Sequence, residues 1–129
     1  MELRFIKANE FVSNIKCSIH KNGKLGFSSN AITKLGIDTN KSIMFATKDD
    51  EEGDGSLYAI ILEEINEEAF KVNKAGNYYY LNTKAMFDSL QYNYQNKTII
   101  FDIVKTDTLH EDRIVYKFIK REGRSKKIK

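Results

Sequence analysis

The chain has 129 residues, 41% of them hydrophobic and 30% charged, with no Pro and no Trp. That is the size and composition of one globular domain with a sizeable core. No apolar run approaches the roughly 18–20 residues of a membrane helix. The N-terminal MELRFIKANEF carries charges where a signal peptide needs an apolar core, so a cytoplasmic location is expected. The formal net charge is +3, but residues 120–129, KREGRSKKIK, hold six basic side chains against one acid. The rest of the chain is therefore slightly acidic, and residues 121–129 are expected to form a flexible basic tail.

Residues 2–8 alternate Leu3 and Phe5 with Arg4 and Ile6 and predict a strand. Asn14–His20 alternates Ile15, Cys17 and Ile19 with Lys16 and Ser18, the pattern of a half-buried strand. Cys17 is the single cysteine, so no internal disulfide forms, and its face predicts a small buried side chain. His20, three residues on, falls on the opposite strand face and is poorly placed to act as its base. Lys21-Asn22-Gly23-Lys24 follows. Asn-Gly between alternating segments signals a hairpin, because both turn residues accept positive φ.

Leu25 and Phe27 continue the core face. Ser28-Ser29-Asn30 offers N-cap oxygens to a short helix at Ala31–Leu35, and Gly36 fits its left-handed C-terminal position. A strand at Ser42–Thr47, an acidic loop at Lys48–Ser56 and an apolar strand at Leu57–Leu62 come next. Beyond the polar connection Glu63–Glu68 the pattern restarts. Phe70 and Val72 alternate with Lys71 and Asn73, Lys74–Asn77 turns, and Tyr78–Leu81 is a strand. Asn82 or Thr83 caps a helix at Lys84–Leu90. A strand at Lys97–Lys105, an acidic loop at Thr106–Asp112 and a strand at Arg113–Lys120 complete the series.

Gly23 aligns with Gly76, Leu25 and Phe27 with Tyr78 and Tyr80, and Lys41–Phe45 with Lys97–Phe101. The expected fold is α+β, mostly β: a single domain over 1–120 built from two ββαββ units, 11–63 and 68–120. The two units would form one pseudo-symmetric barrel in which each buries the other's apolar strand faces.

Residues 23–45 resemble the AbrB/SpoVT/MazE family of swapped-hairpin DNA-binding domains. The likeness rests on Gly23, Lys24, Leu25, Phe27, Ser28, Leu35-Gly36-Ile37, Ile43 and Phe45, which match the family's spacing without a gap. Ser28 stands where Pro is frequent, and Gly26 replaces an apolar strand residue. The second copy, over 76–103, is looser and lacks Leu-Gly-Ile. The resemblance implies a swapped-hairpin barrel with basic hairpins on DNA: His20, Lys21, Asn22 and Lys24 in the first unit, Asn73, Lys74 and Asn77 in the second. A different likeness is topological alone. Strands over 42–81 followed by the helix at 84–90 give the ββββα order of the PUR and whirly single-strand binding folds, where Tyr78-Tyr79-Tyr80 with Lys71 and Lys74 would stack bases.

Charge supports a phosphate ligand separately. The first hairpins, HKNGK and NKAGN, are basic or neutral, and the second hairpins, DDEEGD and DTLHED, are acidic. Lys21, Asn22, Lys24, Lys71, Lys74 and Asn77 are the expected contacts, assisted by Arg121, Arg124, Lys126 and Lys127 of the tail. The reading gains if both lysine hairpins emerge on one face with the acidic turns on the other, and loses most of its support if they point apart. Two histidines and one cysteine make no recognised metal-ligand spacing, and Asp50–Asp54 lacks the twelfth-position Glu of a calcium loop, where Ile61 stands. No phosphate loop, nucleophile elbow or dinucleotide fingerprint occurs. The expectation is a nucleic-acid-binding, non-enzymatic protein without cofactor or metal, DNA being favoured with strandedness open. The alternative is a non-catalytic scaffold that engages a protein partner.

Overall fold

The computed structural model describes residues 1–5, 15–48 and 55–125. The first hairpin is β1 (Lys16–Ile19) and β2 (Leu25–Phe27), in register at Cys17 opposite Phe27 and Ile19 opposite Leu25. Helix α1 (Ser29–Leu35) begins where Ser28, with extended backbone, accepts the Ala31 N–H on its hydroxyl at 3.2 Å. It ends at Gly36, whose φ of 63° is the left-handed cap position. The Lys41 ammonium donates to the Gly36 carbonyl and closes that end. Strands β3 (Ser42–Ala46) and β4 (Leu57–Leu62) then pair antiparallel.

In the second half β5 (Phe70–Lys71) and β6 (Asn73–Ala75) are separated by one residue, Val72. Strand β7 (Tyr78–Leu81) turns back on β6 across Gly76-Asn77. Helix α2 (Lys84–Ser89) follows, then β8 (Lys97–His110) and β9 (Arg113–Ser125). Thr83 stands at the N-cap of α2, yet its buried hydroxyl does not cap the helix. It donates to the Gly23 carbonyl at 2.9 Å, tying the second helix to the first hairpin turn.

Among the described residues the strands form one antiparallel sheet in the order β5-β3-β4-β9-β8-β1-β2-β7-β6. Its two edges belong to neighbouring stretches of chain, β5 and β6. The Val72 N–H between them donates to the Lys41 carbonyl at 3.1 Å, so the sheet curls into a nearly closed barrel. Leu25, Ile43, Leu57, Val72, Leu81, Ile99, Phe101 and Phe118 fill the interior. Phe87 of α2 and Tyr94 plug the same core, with Phe87 stacked on Tyr92 and Phe101. No helix among the described residues is long and apolar enough to cross a membrane.

Three expectations change. Residues 1–5 have no regular structure, and Leu3 and Phe5 are exposed instead of forming the start of a strand; residues 6–8 lie outside the described residues. Thr106–His110 is not a loop but the end of β8. The hairpin continues because the Thr106 hydroxyl donates to the Val115 carbonyl at 2.7 Å and accepts the Thr108 N–H, stabilising a bulge between Lys105 and Leu109. The turn itself is only Glu111-Asp112, both at positive φ. Finally, β9 passes residue 120, where a tail was expected to start, and reaches Ser125, which pairs with Lys97. Residues 126–129 and most of the first acidic loop, 49–54, lie outside the described residues.

Candidate nucleic-acid interface

Side chains alternate between the two faces of a strand, so the buried residues sort the rest. Cys17, Ile19, Leu25, Phe27 and Leu81 point into the barrel. Lys16, Ser18, His20, Lys24, Gly26, Tyr78 and Tyr80 therefore belong to its outer face. The three consecutive tyrosines divide accordingly, with Tyr79 packed against the core and the other two outside.

The ladders align one outer row across six strands. Asn73 stands opposite Tyr80, Tyr80 opposite Gly26, Gly26 opposite Ser18, Ser18 opposite Ile100, and Ile100 opposite Arg121. At the usual strand spacing the row is about 24 Å long. At its middle Gly26 is buried, beside the small Ser18. A Cβ added at Gly26 would lie 2.6 Å from both the His20 Nε2 and a Tyr78 ring carbon, so those two rings overhang the glycine. Between them and Ile100 opens a cleft of about 300 Å³, with Lys16 and Ser28 on its rim.

The rings form a platform. Tyr78 and Tyr80 are stacked at 5.5 Å with 18° between planes, and His20 meets Tyr78 edge-on at 5.3 Å. Lys24 Nζ lies 4.6 Å from the Tyr80 centroid, a cation–π contact worth about 0.5–1 kcal/mol at a partly exposed site. Burial, and secondarily the neighbouring Tyr80, raise the Tyr78 phenol above its ordinary pKa, so it stays a neutral donor near pH 7. Arg121 ends the row in a two-point ion pair with Asp102, Nε at 2.5 Å and a terminal nitrogen at 3.0 Å. Asp102 stands opposite Lys16.

The sequence-derived contacts are thus only partly gathered. Lys21 and Asn22 are exposed in the first turn, where the Asn22 side chain accepts the Lys24 N–H at 3.0 Å. Lys24 leans onto the platform. Lys74 does not join it: it stands opposite Tyr79, on the face of Leu81, with its Nζ 5.4 Å from the Tyr79 ring. Lys71 is exposed on β5, opposite Ser42, and Asn77 is exposed in the Gly76-Asn77 turn. The two lysine hairpins leave opposite ends of the antiparallel β2–β7 pair and do not make one surface. Arg124 belongs to β9, while Lys126 and Lys127 lie outside the described residues.

Lys16 and Ser18 were not among the expected contacts, and Tyr78 and Tyr80 entered only through the single-strand likeness. Two signals pointed to them. Gly26 breaks an apolar strand pattern, and Tyr78 and Tyr80 recur at the spacing of one strand face. A second cleft, about 310 Å³, lies outside β3 and β4 under the β8 bulge and is lined by Met44, Tyr58, Ile60, Leu109 and Val115. It holds no cluster of cations. No family model, curated protein or solved structure matches the chain.

Proposed function

We propose that the chain is a non-catalytic nucleic-acid-binding module, built as two ββαββ units that exchange pairing partners in one barrel. The strand order supports the second part. The first strand of each unit pairs with the third strand of the other, β1 with β8 and β5 with β3. The second strands pair with each other, as do the fourth, β2 with β7 and β4 with β9. Each second strand runs into a short helix. This is the arrangement that the resemblance over 23–45 implies.

One observation carries the functional reading: Tyr78, His20 and Lys16 line one outer cleft, with Tyr80 and Lys24 stacked beside it. Aromatic faces beside cations suit a polyanion that carries bases. The acidic Glu111-Asp112 turn begins eleven residues beyond Ile100, about 36 Å away in extended strand. Phosphate is thereby drawn to one end of the molecule and repelled from the other.

Anisotropy titration of labelled DNA at several salt concentrations tests the reading. Affinity falls steeply with salt, and Lys24→Glu or Lys16→Glu each lower the log–log slope by about 1. Deleting 126–129 weakens binding without abolishing it. Failure of both single-stranded and duplex DNA to bind at low salt contradicts the proposal. Complete loss on deleting 126–129, with no effect of either lysine change, confines the activity to the C-terminus.

A further inference from the structure

We propose that the cleft over Gly26 holds one unstacked nucleobase, so that the ligand is single-stranded nucleic acid; this rests on the nucleic-acid reading above. A duplex offers a protein its phosphates and its base edges, while the ring faces stay stacked inside. A single strand can turn a base outward and lay its face on an aromatic side chain. The outer surface is built for the second kind of contact.

Gly26 lets the Tyr78 hydroxyl and the His20 ring close over the strand beside the cleft. Both its strand neighbours in the row leave room or offer a ring: Ser18 is small, and Tyr80 is flat. Tyr78 forms the wall, overhanging Gly26, and the Tyr80 ring stacks behind it. Ile100 and Ser18 also line the cleft, and a serine hydroxyl can donate or accept at a base edge. At about 300 Å³ the space is at the small end of ligand sites, suited to one planar heterocycle and not to an extended side-chain cluster. Lys16 lines the cleft, and Lys24 lies beyond it on the Tyr80 ring. Phosphates on either side of an inserted base would fall to those two ammonium groups. Stacking recognises every base face, so sequence preference is weak.

The test compares a labelled thymidine oligonucleotide of about 12 nucleotides with a duplex of the same length, at low salt, on the full chain. The expected result is tenfold or greater preference for the single strand, with quenching of tyrosine emission on binding. Tyr78→Ala weakens the single strand about tenfold, while Tyr78→Phe keeps single-strand affinity. Equal affinity for the two DNAs in the unmodified protein overturns the base cleft, whatever the variants do, and leaves a phosphate-only reading standing. Failure of both DNAs to bind removes the nucleic-acid reading and the cleft with it.

Discussion

Gly26 shows how one missing side chain decides a surface. In a strand of three residues flanked by buried Leu25 and Phe27, an apolar or β-branched residue is the ordinary choice. Here any Cβ meets the Tyr78 and His20 rings, so the position is legible in sequence only as an anomaly whose cause is 52 residues away in the chain. Cys17 was fully legible. Its alternation with Ile15 and Ile19 places it inside, and it is buried in the barrel. Burial, with a smaller contribution from Asp102, raises its thiol well above the ordinary value of 9.0. The folded protein then keeps a proton that the unfolded chain gives up. The associated stability is full below pH 9 and is lost as pH rises toward the folded pKa, by up to about 1.4 kcal/mol per pH unit. Tyr94, held by its hydrogen bond to Asp88, is also raised, and so acts in the same direction at higher pH. Urea unfolding at pH 7, 9 and 10 should show this fall, and Cys17→Ala should flatten its first part. A fall of the same size in Cys17→Ala would assign the effect elsewhere.

At the scale of elements, periodicity found most of the strands and both helices, because apolar alternation and the Ser28 and Gly36 caps are local. It missed the length of the β8–β9 hairpin. Thr106-Asp107-Thr108 has the composition of a loop, and only the cross-strand bonds of Thr106 make it strand. It also missed the break at Val72, where Phe70–Asn73 looks continuous but divides between two edges of the sheet. The hairpin ends on a two-residue turn with Glu111 at φ 50° and Asp112 at φ 64°. Both residues pay the left-handed cost that Asn and Gly avoid. The double change Glu111→Asn, Asp112→Gly is expected to stabilise the fold by about 1 kcal/mol and to raise the melting temperature by a few degrees. A lower melting temperature would mean that the Glu111–Arg113 ion pair, 3.6 Å apart, outweighs backbone strain.

For the whole molecule, the shape depends on pairings that no local pattern encodes. The barrel closes because β5 and β6, one residue apart, attach to β3 and β7 at opposite edges of the sheet, with Val72 buried at the seam. The sequence comparison of Gly23 with Gly76 suggested two similar units but could not say which strand of one would pair with which of the other. That choice decides the site. Because β2 and β7 run antiparallel at the centre of the contact, the two lysine hairpins diverge, and the outer faces of the same strands come together instead. The candidate surface moved accordingly from the turns to the sheet, keeping Lys24 as the residue common to both.

The most direct measurement is a map of backbone amide shifts in the isotope-labelled protein as a short single-stranded oligonucleotide is added. The perturbations should cluster at Lys16, Ser18, His20, Lys24, Gly26, Tyr78, Tyr80 and Ile100, and should spare Glu111 and Asp112. Perturbations confined to residues 121–129, or spread over Lys71, Lys74 and Asn77 while the Gly26 cleft stays unchanged, would contradict the outer-face site.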